Sequence, residues 1–270
     1  MLSCMYFELS RSGDSNPITI NHNLRTARHR NFPRWLKTII EYTETVHFNP
    51  MTFIISIQLE DSILVAADRR HTTVKEDGTY THRDDQESKI YAWKRGIITG
   101  SGETTVIDRA IEFFIKLADS KIETLPKCLT ASRLLRELEV EHYQVHTTKL
   151  LYSDYTATGV QCYTIEPDGY GAYEVKACIH NEILLWLFDP NIDPIIQELK
   201  ALYTGLKPYK AFPSAQDCIN YYLEQFIHIY KKQSKQDPLM SSSFDYFFQT
   251  GDDFLCGHIP NLGIESVEKA

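Results

Sequence analysis

From Thr52 onward the chain breaks into short apolar runs separated by turn signals. The runs at 52–59 and 62–68 predict two strands, and those at 89–93 and 96–100 predict two more. Between the pairs lies the polar stretch TTVKEDGTYTHRDDQES, read as a loop with a turn at Asp77-Gly78. At Thr104 the period changes to helical, with Val106, Ile107, Ala110, Ile111, Phe114 and Leu117 on one face and Thr104 or Thr105 as the cap. A second helix is predicted from about Thr130 to His146, with Leu134, Leu135 and Leu138 as its apolar positions. Strands return at GVQCYTIEP and YEVKACI around the turn DGYG, and helices at about Asp193–Leu202 and Ser214–Lys232. FDYFFQTGDDFLCGHI closes the pattern as two strands around a Thr-Gly-Asp turn. The order is four strands, two helices, two strands, two helices, two strands. It predicts an α+β fold, a four-layer αββα sandwich in which each helix pair covers one face of an antiparallel sheet.

Composition narrows the function classes. In 270 residues, 43% hydrophobic and 24% charged residues are ordinary globular values. A net charge of -8 argues against nucleic-acid binding, which needs clustered Lys and Arg to neutralise phosphates. Cys4, Cys128, Cys162, Cys178, Cys218 and Cys256 form no CxxC pair and no zinc-finger spacing, so they read as reduced core thiols. No cofactor is indicated. Without a long apolar span or a signal-peptide pattern, the expected setting is the cytoplasm, away from membranes. Residues 1–51 are polar and irregular, with the basic cluster RTARHRNFPRW, and read as an N-terminal extension ahead of a single domain at 52–270.

Two features ask for chemistry: a threonine at the start of the first strand, and an apolar run, Ile63 to Ala67, that ends on Asp68, Arg69 and Arg70. Taken singly, each is ordinary. Thr has good strand propensity, Asp after a strand is commonly a surface cap, and Lys89 on its own would be solvated.

In order and at their spacing, Thr52, ILVAADRR, SKIY and GIITGSGETT together resemble a proteasome-type β subunit, a member of the N-terminal nucleophile (Ntn) hydrolases. The resemblance implies the Ntn sandwich fold and a threonine endopeptidase. A Thr hydroxyl is a weak nucleophile, and a free α-amino group with a pKa of about 7.7–8.0 is a suitable base beside it; only a chain-terminal Thr carries both. By the resemblance, Lys89 stabilises the developing alkoxide and Asp68 holds Lys89 charged. Gly100 would offer its amide to the oxyanion, with Gly102 as a competitor, and Thr72 would pair its backbone with substrate as an added strand. In DPLMSSSFDYFFQT, Asp237 and Ser241 would support the nucleophile's amine, with Ser242 as an alternative to Ser241.

The chain departs from the family in two places. A Gly-Ser-Gly expected near the amine is absent; KACIHNE stands there, with His180 or Asn181 as substitutes. As written, Thr52 also follows Met51, so its nitrogen is an amide. Either translation starts at Met51 and the methionine is trimmed, or residues 1–51 are a propeptide removed by self-cleavage; Met in place of the usual Gly favours the first. The implied partners are a peptide or unfolded-protein substrate, a homo-oligomeric ring of like subunits, and an ATPase or other regulator. Two alternatives are an Ntn amidohydrolase or transpeptidase acting on a small amide, and a non-catalytic structural subunit.

Overall fold

The computed structural model describes residues 6–8, 52–74, 80–83, 87–168, 171–187, 191–237, 239–251 and 253–261. In the first sheet, β2 (Ile54–Gln58) and β3 (Ile63–Asp68) form a hairpin closed by the Leu59 N–H donating to Ser62 O at 2.8 Å. The sheet is antiparallel in the order β1-β11-β2-β3-β12-β13. Its other strands are β1 (Tyr6–Glu8), β11 (Glu182–Trp186), β12 (Phe244–Thr250) and β13 (Asp253–Ile259). The N-terminal extension thus contributes one short edge strand, Tyr6 pairing with Trp186. The second sheet runs β10-β9-β8-β7-β6, built from β6 (Tyr91–Trp93), β7 (Gly96–Ser101), β8 (Lys149–Thr156), β9 (Gly159–Pro167) and β10 (Tyr173–Ala177).

Three apolar clusters make the four layers. Alternate residues of a strand face opposite sides, so β2 sends Ile55 and Ile57 one way and Ile54 the other. Ile55, Ile57, Leu64, Ala66, Ile183 and Leu185 pack under the helices α4 (Ile196–Thr204) and α5 (Ala215–Gln236). Ile54, Ile63, Val65, Leu151, Val160 and Trp186 fill the space between the sheets. Ile98, Leu150, Tyr152 and Ile165 meet α1 (Thr104–Lys116) and α2 (Leu125–Glu139) on the far side. Two antiparallel sheets between helix pairs are the expected αββα sandwich. Strands buried on both faces read as unbroken apolar runs, which is why β2 and β3 were visible in the sequence.

Four local expectations need correction. Two strands separate the helix pairs in the sequence reading, whereas the structure has four. The missing ones are β8, KLLYSDYT, and β11, EILLW. The polar letters of β8 hide it, yet they are buried and bonded: Ser153 Oγ donates to Gln249 Oε1 at 2.9 Å, Arg95 pairs with Asp154 at 2.8 Å, and the Lys149 ammonium lies 4.4 Å from the Trp186 ring centre. The polar stretch after β3 holds a hairpin, β4 (His71–Val74) and β5 (Tyr80–Arg83).

The second helix starts at Leu125 and ends at Glu139, with a separate turn, α3 (Tyr143–Thr147), after it. It buries Leu125, Cys128, Leu129, Ser132 and Arg133, while Leu134, Leu135 and Leu138 are exposed, Leu138 at 85%. A polar pair completes the buried stripe because both residues find partners: Ser132 Oγ donates to Val106 O at 2.8 Å, and Arg133 to Gly171 O at 2.7 Å. Finally, Glu103 and not a threonine caps α1, its carboxylate accepting from Val106 N–H at 2.8 Å, and Leu117 at the other end is exposed.

Candidate functional site

The charged end of β3 is explained by what surrounds it. The Asp68 side chain is fully buried and accepts four hydrogen bonds. Oδ1 takes the Phe53 N–H at 2.9 Å and the Lys89 ammonium at 2.8 Å. Oδ2 takes the amides of Arg70 at 3.0 Å and Ser241 at 3.4 Å. A buried carboxylate is tolerable only with such complete pairing, and removing one partner of a buried ion pair costs about 3–5 kcal/mol. The sequence ends an apolar strand on Asp because Asp68 is a structural hub for three separate segments.

That hub also fixes Thr52. Its neighbour Phe53 shares Asp68 Oδ1 with Lys89 and is held from behind by Tyr230 of α5, whose hydroxyl donates to Phe53 O at 3.2 Å. The two rings meet edge to face at 4.8 Å. Burial, and then the Asp68 charge, push the Tyr230 phenol far above its ordinary pKa, so it stays a donor. Lys89 is held through its backbone as well, its carbonyl accepting from Thr99 Oγ1 of β7 at 2.8 Å.

Thr52 and Lys89 line one open cleft, with an enclosed volume of about 20 Å³, together with Gly100, Gly102, Thr104, Ile107, Asp108, His71 and Tyr91. The two glycines reach it differently. Gly100 lies within β7, paired with Leu150 of β8, and a Cβ there would come within 2.7 Å of Leu150. Gly102 lies past the strand end with φ +124°, a conformation that favours glycine, and a Cβ there would strike Thr148 Cα at 2.5 Å. The remaining cleft residues were not singled out from sequence, though a spacing signal existed. Tyr91 follows Lys89 by two, the strand period, and Thr104, Ile107 and Asp108 follow the helical i, i+3, i+4 period.

The Tyr91 hydroxyl donates to Asp108 Oδ1 at 2.6 Å. Burial first, and that bond second, raise the Tyr91 phenol well above its ordinary value. Burial of the Asp108 carboxyl raises its pKa, with the Tyr91 bond opposing the rise. His71 is lowered, by burial first and then by the Lys89 charge, so it is neutral near pH 7. Its Nε2 is enclosed and has no hydrogen-bond partner among the described residues.

The remaining predicted residues are distributed as follows. Ser241 is buried beside Asp68; its hydroxyl accepts from Arg69 N–H at 3.4 Å and donates to Ser243 O at 2.7 Å. Asp237 is buried at the C-terminal end of α5, with Oδ1 accepting from Leu239 N–H at 2.9 Å. Ser242 is turned away and donates to Asn261 Oδ1 at 2.6 Å. Thr72 lies in β4 opposite His82, and among the described residues no strand pairs with the other edge of β4.

His180 and Asn181 do not substitute near Thr52. Asn181 N–H donates to Gln58 O at 2.7 Å and His180 Nδ1 lies 3.0 Å from Leu59 O, so both sit at the opposite end of β2. At about 3.3 Å per residue, six residues of strand separate them from Thr52 by about 20 Å. The antiparallel pairing of Trp186 with Ile54 carries the chain after β11, not the chain before it, to the Thr52 end; residues 188–190 lie outside the described residues.

The buried thiols are poor competitors as nucleophiles, since burial pushes Cys162 and Cys218 each up to about 12. Among the described residues, no group of three or more His, Cys, Asp or Glu side chains is placed to hold a metal ion, and no helix is long and apolar enough to cross a membrane.

No family model and no curated protein matches the sequence. Among solved structures, the chain is similar to a Gly-1 mutant of Anbu from Hyphomicrobium sp. strain MC1, with a TM-score of 0.52 over 77% of this chain and 86% of that one. At 10% identity the likeness is one of fold, and the αββα sandwich is what the two chains share.

Proposed function

We propose that this chain is a threonine-type peptidase in which Thr52, once it is the chain terminus, is the nucleophile. The observation that carries the reading is the shared cleft of Thr52 and Lys89, with Lys89 clamped by a buried, fully bonded Asp68. The proteasome-like fold supports a hydrolase of this general kind.

In the reaction, Thr52 Oγ1 adds to the substrate carbonyl carbon and its proton passes to the Thr52 amine. The oxyanion is met by a backbone N–H, for which Gly102 is favoured over Gly100 because it lies beyond the β7 ladder. The amine returns the proton to the leaving nitrogen as the C–N bond breaks, leaving an ester on Thr52. Water, deprotonated by the same amine, then cleaves the ester. Lys89 disfavours protonation of the amine and stabilises negative charge on Oγ1. Ser241 acts through Asp68 and Arg69 as a positioning residue, Asp237 orders the loop that carries Ser241, and Thr72 offers the open edge of β4 to an extended substrate.

The amine is exposed either by a start at Met51 with trimming or by removal of residues 1–51. A peptide β-lactone followed by mass spectrometry should place one adduct on an N-terminal Thr52. An adduct elsewhere, or a mature chain that does not begin TFIIS, overturns the assignment. Under the self-cleavage route, a full-length Thr52→Ala chain accumulates as intact precursor. The ring of like subunits in the cytoplasm, fed by an ATPase, belongs to the same proposal and is read by native mass spectrometry.

A small amide as substrate is the second reading. It is favoured by the small enclosed volume of the cleft, about 20 Å³. Turnover of small amides but not of fluorogenic peptides would select it.

A further inference from the structure

The cleft beside Thr52 carries a charge arrangement that the hydrolytic step does not use. Its cation, Lys89, is committed to Asp68 at 2.8 Å. Its other wall presents Asp108, which has one oxygen bonded to the Tyr91 hydroxyl and no cation partner among the described residues. The next residue along, Arg109, is turned to Glu139 at 2.9 Å. Asp108 is exposed, whereas three less exposed carboxylates have cations: Asp245 with Arg69, Asp154 with Arg95, Glu103 with Arg136. Glu87, exposed before Lys89, adds its negative field to Asp108, Tyr91 and His71 alike. Neutral His71 leaves an enclosed Nε2 with no bond and supplies no competing positive charge.

We propose that this cleft receives a lysine or arginine side chain of the substrate, with Asp108 as its counter-ion, so that cleavage follows basic residues. The inference rests on the peptidase reading and adds its substrate class. Ile107 and the Tyr91 ring flank the aliphatic stem of such a side chain, and Gly100 and Gly102, lacking Cβ atoms, keep the floor open. The cationic head then meets the Asp108 carboxylate and, for arginine, a second acceptor in His71 Nε2 when that nitrogen is unprotonated. Burial raises the Asp108 pKa, with the Tyr91 bond and His71 opposing the rise, and a substrate cation bound there would lower it.

The test measures binding apart from turnover. Acetylated dipeptide amides ending in arginine, leucine or glutamate are titrated calorimetrically into the Thr52→Ala chain. The arginine peptide is expected to bind about tenfold or more tightly than the other two, and Asp108→Asn in the same background to bring the three within about threefold. Tyr91→Phe, which leaves the carboxylate in place, is expected to keep the preference for arginine. Equal binding of the three peptides, no measurable binding of any, or a preference that survives Asp108→Asn overturns the inference. If arginine-selective binding is present but the mature wild-type chain cleaves no peptide, the peptidase reading fails and the cation site stands.

Discussion

Asp68 and Asp108 both flank Thr52, yet they occupy opposite electrostatic environments. Asp68 is sealed, with a lysine and three backbone amides closing its oxygens. Asp108 stands at an open rim with a phenol on one oxygen. The first is a fixed part of the scaffold, because moving it would strand a buried charge. The second is exposed and has no cation partner among the described residues. The same side chain type is thus sealed on one wall and open on the other, and the difference is set by how many donors the fold brings to each.

Several substitutions test that contrast. The largest effect is expected from Thr52→Ala, which removes the group both walls serve: turnover should fall about 10³-fold or more while urea denaturation shows little change. On the sealed wall, Lys89→Met leaves Asp68 buried and unpaired, and stability should drop by about 3–5 kcal/mol. Joining it with Asp68→Asn should recover part of that loss, since the stranded charge is gone; a double variant less stable than either single one would contradict the hub. Between the walls, Gly102→Ala forces a Cβ against Thr148 at positive φ and should cost about 1–3 kcal/mol, together with a fall in kcat if its amide meets the oxyanion.

The smallest stability effect is expected on the open wall. Asp108 has a folded-state pKa raised above its ordinary value, so the folded chain holds that proton more tightly than the unfolded chain. Its contribution to stability is therefore full below the unfolded pKa of about 3.9 and is lost as pH rises through the folded value. Asp108→Asn removes this dependence. The variant should gain on the wild type between pH 3 and pH 7, which denaturation curves at the two pH values will show. A variant that instead loses ground with rising pH would mean that Asp108 is stabilised as a carboxylate.

The contrast also marks where the sequence was legible. Thr52, Asp68 and Lys89 stand out because the apolar run of β3 ends abruptly on charge and because Lys89 opens the next strand pair. Asp108, Tyr91 and His71 carry no such signal on their own. Asp108 lies on a helix whose apolar face, Leu117 apart, is legible in the sequence while its place in the cleft is not, and His71 begins a hairpin hidden in a polar stretch. His180 and Asn181 were attached to the amine by order along the chain, whereas strand register carries them about 20 Å away.

The helix layers repeat the lesson. The apolar stripe of α5 predicts its buried side because all its weight is in side-chain hydrophobicity: Ile219, Tyr222, Phe226, Ile229 and Tyr230 are buried. In α2 the same rule points to Leu134, Leu135 and Leu138, which are exposed, because Arg133 and Ser132 gain hydrogen bonds on the inner side that no periodicity reveals.

By itself the sequence determined the layered α+β architecture and the candidate nucleophile with its lysine and carboxylate, because burial imposes periodicity and a buried charge leaves a visible break in it. Only the tertiary structure decided which glycine stands clear of the ladder, which polar residues are satisfied inside, and which carboxylate faces Thr52 across an open cleft. Those outcomes depend on distances between residues far apart in the chain, and hydrogen-bond satisfaction across such distances has no local signature.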